Sequence, residues 1–230
     1  GDREDPVALI ATAQAERAKL VYFANPDNPM GSWWGASDMQ NLIDAVPDGS
    51  VLVLDEAYSE FAPPDTVPVL NISNPKVIRY RTFSKAYGMA GARIAYAIGE
   101  AGVIKSFDKI RNHFSVNRIA QAGALAALED QDYLKSVQQR VASAREQIGA
   151  IARVNGLLPL PSATNFVTID CGRDGVYAKR VLDALIARDV FVRMPGPAPL
   201  NRCIRVSAGT EADLAIFATE LPAALKAASV

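Results

Sequence analysis

The sequence predicts an α/β domain followed by a smaller α+β part, and three observations carry that prediction. Short apolar runs alternate with a helix-periodic stretch through the first half of the chain. Polar, turn-rich segments stand at the carboxyl ends of those runs, where open α/β sheets gather their ligand chemistry. From about Ser115 the pattern changes to alanine-rich helix and then to short strands interleaved with helices.

The elements follow in order. Lys19 to Ala24 reads as a buried strand, and Ser37 as the N-cap of a helix carrying Met39, Leu42, Ile43 and Val46 at helical spacing. Pro47-Asp48-Gly49 stops that helix. Val51 to Leu54 is a continuous apolar run ending in Asp55, the pattern of a buried parallel strand. Val77 to Tyr80 and Ile94 to Ile98 complete a four-strand set. Asn117 to Leu128 is helical, and Leu134, Val137, Val141, Ala144, Ile148 and Ile151 trace one face of a long connecting helix that Gly156 ends. The remainder reads as strand (166–169), helix (176–188), strand (190–193), strand (203–207) and helix (211–226), with Thr210 and Asp213 forming a near capping box.

Bulk properties narrow the function. Lys plus Arg number 24 and Asp plus Glu 25, so no charge footprint for nucleic acid or an acidic membrane is present. No apolar run reaches the roughly 20 residues that span a bilayer, and the polar first residues do not read as a secretory leader. The two cysteines, Cys171 and Cys203, lack metal-ligand spacing and read as buried thiols in a reducing compartment, the cytoplasm.

Three segments carry the chemistry. Lys85 sits in Thr82-Phe83-Ser84-Lys85-Ala86-Tyr87-Gly88-Met89-Ala90-Gly91-Ala92-Arg93, just past a strand, beside hydroxyls, glycines and an arginine. That context suits an amine meeting a phosphorylated ligand, with Ser84 and Arg93, and less directly Thr82, as phosphate donors. An amine attacks a carbonyl only when deprotonated, a state that burial or a neighbouring cation favours. Asp55 ends an apolar strand, so its carboxylate is expected to be buried against a cationic partner. Asn28 lies in Asn25-Pro26-Asp27-Asn28-Pro29-Met30-Gly31, a turn built of φ-restricting residues. Downstream, Arg205 interrupts an alternating strand, where a charge is costly without a partner, and Arg193 ends the preceding one. The apolar strand ending in Asp55-Glu56 also fits the magnesium-organising strand of a P-loop nucleotide hydrolase, but no GxxxxGK[ST] loop accompanies it.

In order and interval these segments resemble the pyridoxal-phosphate-dependent aminotransferases of fold type I, and within them the histidinol-phosphate aminotransferase group. The resemblance implies the carboxyl-terminal part of the large-domain sheet (residues 1–128) followed by a connecting helix and small α+β domain (129–230). It implies pyridoxal 5′-phosphate attached at Lys85, which also moves the substrate proton. It makes Asp55 the anion on the pyridine nitrogen, Tyr58 and Asn28 donors to the cofactor 3-oxygen, and Ser84 and Arg93 the phosphate grip. Arg205 becomes the clamp for a substrate carboxylate or phosphate, Arg193 a second phosphate contact, and Asn117 a substrate-side residue.

The implied partners are a small amino donor and a 2-oxo acid such as 2-oxoglutarate, in a homodimer of amino-acid biosynthesis with no metal. Met30 stands where the family usually has Thr. Arg111-Asn112-His113-Phe114 departs from the group's usual arginine and prolines, and His113 reads as a helix-entry residue rather than a catalytic one. Trp33 and Trp34 read as packing. The family also has an arm, the first sheet strands and a glycine-rich phosphate turn ahead of its first motif. Nothing here matches those parts, so the chain is expected to correspond to the middle and end of such an enzyme. A phosphoamino-acid decarboxylase on the same scaffold and an inactive fragment are the remaining alternatives.

Overall fold

A computed structural model describes residues 2–229 of the chain. The described residues fall into two compact units. One comprises Glu4–Pro26 and Trp33–Gln138; the other comprises residues 2–3, Asp27–Ser32 and residues 139–229.

The first unit is built on a four-stranded sheet in the order β1 (Leu20–Ala24), β2 (Val51–Asp55), β3 (Val77–Thr82), β4 (Ala95–Gly99). β1, β2 and β3 are parallel, with Ala24 opposite Asp55 and Asp55 opposite Tyr80, so their carboxyl ends share one edge. β4 runs antiparallel to β3 because the lysine-bearing turn returns the chain directly, without a helical crossover. Helices α1 (Pro6–Ala15) and α2 (Ala36–Asp44) cover one face of the sheet, burying Ile10, Met39, Leu42 and Ile43 against Val21, Phe23, Leu52 and Leu54. Each such side chain contributes roughly 1.5–3 kcal/mol.

Helix α1 was not expected. Its signal is Asp5-Pro6: the Asp5 carboxylate accepts from the Val7 and Ala8 amides at 2.9 and 3.0 Å, and Pro6 fills the first helical position. Two expectations need correcting. β1 is not buried on both faces, since Leu20 and Tyr22 are 69% and 57% exposed while Val21 and Phe23 are buried. Helix α2 is capped by extended Gly35, whose carbonyl accepts from Met39 N–H at 3.0 Å, and Ser37 lies inside its first turn. After the short α3 (Ala101–Lys105) comes α4 (Arg118–Glu129), which packs Ala120 and Ala124 on Phe83 and Ile94.

The long helix α5 (Gln131–Val154) runs through the division between the units. In the second unit its Ala144, Ile148 and Ala152 join a core with α6 (Gly175–Ile186) and α7 (Glu211–Ala228). The antiparallel sheet there has the order β5 (Leu158–Pro159), β6 (Phe166–Asp170), β7 (Cys203–Ser207). The strand expected over 190–193 is reduced to one bridge, Arg193 with Arg205. Pro195, Pro197 and Pro199 follow it, and residues without an amide hydrogen cannot extend a ladder.

The capping box at α7 is complete. Asp213 N–H donates to Thr210 Oγ1 at 3.3 Å, and Thr210 N–H donates to Asp213 Oδ2 at 2.8 Å. Thr210→Ala is expected to cost about 1 kcal/mol, read as a lowered midpoint in urea with an unchanged slope. Cys171 and Cys203 are both buried and free. Burial pushes their thiols up to about 12 and about 11, so both are inert.

Candidate active site

The residues singled out in the sequence separate into two groups, one in each unit. Asp55, Tyr58, Ser84, Lys85, Arg93 and Asn117 lie in the sheet unit; Asn28, Arg193 and Arg205 lie in the other.

In the sheet unit, β2 delivers Asp55 and β3 delivers Lys85 to the same edge. Beyond Thr82 the chain turns at once: Ser84 N–H donates to Thr82 Oγ1 at 3.0 Å, and Gly88 N–H donates to the Lys85 carbonyl at 3.0 Å. Gly88 takes φ +68°, where a β-carbon is disfavoured. The half-buried Lys85 amine stands over the face of Tyr58, 5.0 Å from the ring centroid. A ring face holds the amine in place without supplying a counter-charge that would lock it as a salt bridge.

Asp55 is half-buried, and within the described residues its carboxylate is held by neutral donors. Tyr22 Oη donates to Oδ2 at 2.7 Å and Ala57 N–H to Oδ1 at 2.9 Å. Each oxygen retains a lone pair for a further donor.

Tyr22 was missed in the sequence because only the β1–β2 register brings it to Asp55. Glu56, the other half of the acidic pair, points into the fold. It is 1% exposed and accepts from Arg79 Nη2 at 2.6 Å and from Arg81 Nε at 3.0 Å. Both of its oxygens are thereby committed to arginines, and no cluster of metal-ligating groups occurs among the described residues.

Arg93 adopts the left-handed conformation at φ 52°, unusual for a side chain of its size. Its guanidinium is exposed and donates to the Ala90 carbonyl at 2.7 Å. Strain of this kind concentrates where a side chain must be aimed. Asn117 is the N-cap of α4, its Oδ1 accepting from Ala120 N–H at 2.7 Å. His113 is exposed and stacks edge-on against Phe114.

In the second unit the turn 27–32 is tied to the small sheet. Thr168 Oγ1 donates to the Pro29 carbonyl at 2.7 Å, and Ala163 N–H donates to the Gly31 carbonyl at 2.9 Å. Gly31 has φ +83°, and a β-carbon there would come within 2.6 Å of Ser162 Oγ. Asn28 is exposed, and its Oδ1 accepts a short hydrogen bond from Arg205 Nη1. Phe166 lies under the Arg205 guanidinium, with the Nε buried and without a hydrogen-bond partner.

Arg193 and Arg205 exchange both backbone hydrogen bonds, at 3.0 and 2.7 Å. Directly opposed residues send their side chains to the same face of the pair. The Arg193 guanidinium, 5.4 Å from the Phe191 ring centroid, is exposed.

The family model for aminotransferase class I and II matches residues 2–221. The chain belongs to the class I and II aminotransferases. Within the family it is 38% identical over 203 residues to histidinol-phosphate aminotransferase 2 of Methylococcus capsulatus, covering 86% of this chain and 54% of that protein. The crystal structure of histidinol-phosphate aminotransferase from Sinorhizobium meliloti in complex with pyridoxal-5′-phosphate is 54% identical to this aminotransferase chain. It superposes with a TM-score of 0.96, covering 98% of this chain and 62% of the other. L-threonine-O-3-phosphate decarboxylase from Porphyromonas gingivalis shares the fold at 19% identity and a TM-score of 0.78, covering 97% of this chain and 69% of the other.

The chain spans about half the length of the curated relatives it matches, 54% of the first. Family membership and the committed Glu56 carboxylate leave the nucleotide-hydrolase alternative without support. No described helix is long and apolar enough to cross a membrane.

Proposed function

We propose that this chain supplies the lysine, the pyridine-nitrogen carboxylate and the anion-binding arginines of a pyridoxal-phosphate-dependent aminotransferase. Its amino donor is histidinol phosphate or an aromatic amino acid, and its acceptor a 2-oxo acid such as 2-oxoglutarate. The observation that carries the reading is the placement of Lys85 and Asp55 at adjoining strand ends on one sheet edge, with Ser84 and Arg93 in the same turn segment. The likeness to a pyridoxal-phosphate-bound structure at 54% identity supports it.

The residues present fit the cofactor. An amine on a ring face is available for a covalent bond, Asp55 keeps acceptor capacity for a ring N–H, and a hydroxyl with a guanidinium suits a phosphate. When bound, pyridoxal phosphate supplies the electron sink of the reaction. The protein's part is positional and protonic. Lys85 Nζ takes the proton from the substrate carbon and returns it; Asp55 holds a negative charge where the ring nitrogen needs one; Tyr58 braces the amine. Arg205, its direction set by Asn28 and Phe166, and Arg193 beside it grip the anionic end of the substrate. The group's biosynthetic role, cytoplasmic setting and homodimeric assembly belong to the same proposal.

Substrate choice tests the reading. The full-length protein should turn over histidinol phosphate at a kcat/KM about 100-fold above that for histidinol, the worth of a charge-assisted phosphate contact of 1.5–3 kcal/mol. Arg193→Ala should remove most of that preference. An enzyme indifferent to the phosphate and to Arg193, preferring ordinary amino acids, would contradict the assignment of the two arginines.

A further inference from the structure

Glu60 is a buried acid that the proposed chemistry does not use. It lies in the short turn Ser59–Phe61, with its side chain 8% exposed. Its Oε1 stands 3.8 Å from Arg81 Nη1, and its Oε2 is buried without a partner of normal hydrogen-bond geometry. Burial holds the carboxyl above its ordinary range; its own backbone, Arg81 and Ser59 oppose that shift and Glu56 adds to it. Native folds rarely keep a buried, half-satisfied acid for packing alone.

Its neighbours are the two walls of the lysine. Tyr58, whose ring lies under Lys85 Nζ, opens the same turn, its carbonyl accepting from Phe61 N–H at 3.0 Å. Gln138 Nε2 donates to the Glu60 carbonyl at 2.6 Å and pins the turn. On the other side Arg81 belongs to β3, the strand that leads into Lys85, and is shared with Glu56. Opposite Arg81 in the ladder is Tyr96, which packs on Phe83, and Phe83 packs on Tyr87 of the lysine turn, with ring centroids 5.6 and 5.0 Å apart. The charged and titratable groups around Glu60 are therefore Arg81 from β3, Glu56 after β2, Tyr96 from β4 and Tyr87 from the lysine turn.

We propose that Glu60 is a positioning residue for Lys85: with Arg81 it ties the turn that begins at Tyr58 to the strand that delivers the lysine, and so sets where Nζ stands over the Tyr58 ring. The inference rests on the reading of Lys85 as the cofactor-attaching amine. The tie works through side-chain shape and the contact with Arg81, both of which glutamine keeps and alanine loses, so glutamine should replace it and alanine should not.

The test is the pH titration of the visible absorbance of the lysine-linked cofactor in full-length protein loaded with pyridoxal phosphate. Glu60→Ala is expected to move the midpoint by about one unit with the far-ultraviolet circular dichroism unchanged, and Glu60→Gln to restore the wild-type midpoint. Glu60→Asp, one methylene shorter, should move it in the same direction as alanine and carries the test if the alanine variant does not fold. Coincident midpoints in wild type, alanine and aspartate variants would overturn the inference and leave the role of Lys85 standing. A wild-type protein with no lysine-linked chromophore would overturn both.

Discussion

Lys85→Ala is expected to abolish covalent attachment of pyridoxal phosphate and to lower transamination by about 10,000-fold, the upper end of what one proton-transferring group supplies. Two losses coincide in this substitution, because one amine both anchors the cofactor and carries the proton. The structure offers no substitute in the lysine turn: Lys85 lies alone between Ser84 and Ala86, Arg81 before it is committed to Glu56, and Arg93 after it is held in a left-handed conformation with its guanidinium on the Ala90 carbonyl. The fold should survive, since the half-buried side chain rests on the Tyr58 ring and takes no part in the buried ion pairs of Glu56. Single-turnover and steady-state rates measured beside the melting temperature separate the chemical from the structural effect. Activity within tenfold of wild type would mean that the amine lies elsewhere.

Asp55→Asn should spare the fold and lower the rate by roughly 100- to 1,000-fold, the scale of removing one preorganised electrostatic partner. The amide can keep both native hydrogen bonds. Its oxygen can accept from Ala57 N–H while its NH₂ donates to the Tyr22 hydroxyl, which can act as acceptor. What it cannot keep is the negative charge. Tyr58→Phe removes only a hydroxyl and leaves the ring under Lys85, so its loss should stay near tenfold, the worth of one ordinary hydrogen bond. Equal losses in the two variants, measured as kcat/KM with one amino donor, would show that the charge at Asp55 is not what matters.

Much of this arrangement could be read from the chain because parallel strands end where their apolar runs end. Val51 to Leu54 terminates at Asp55 and the run from Val77 leads to Lys85, so the sequence pattern alone puts both functional groups at strand ends. Local chemistry was also legible where it is local in sequence, as in the Thr210–Asp213 capping box. What could not be read depends on pairing across distance. The Tyr22–Asp55 contact needs the β1–β2 register, and the Glu56–Arg79–Arg81 cluster needs that of β2 and β3. The Arg205–Asn28 bond joins residues 177 positions apart. The strand expected at 190–193 failed for a different reason: its sequence is strand-like, but the prolines beyond it leave a single bridge. The missed helix at Pro6–Ala15 buries only Pro6, Ile10 and Ala13, too few for a periodic signal.

The central claim is that Lys85 is the amine that holds the cofactor. Full-length protein loaded with pyridoxal phosphate, reduced with borohydride and digested, reports on it directly by mass spectrometry. The label is expected on the peptide that carries Ser84, Lys85 and Ala86, and it should be absent from the Lys85→Ala protein. Label on any other lysine, or none at saturating cofactor, would contradict the account.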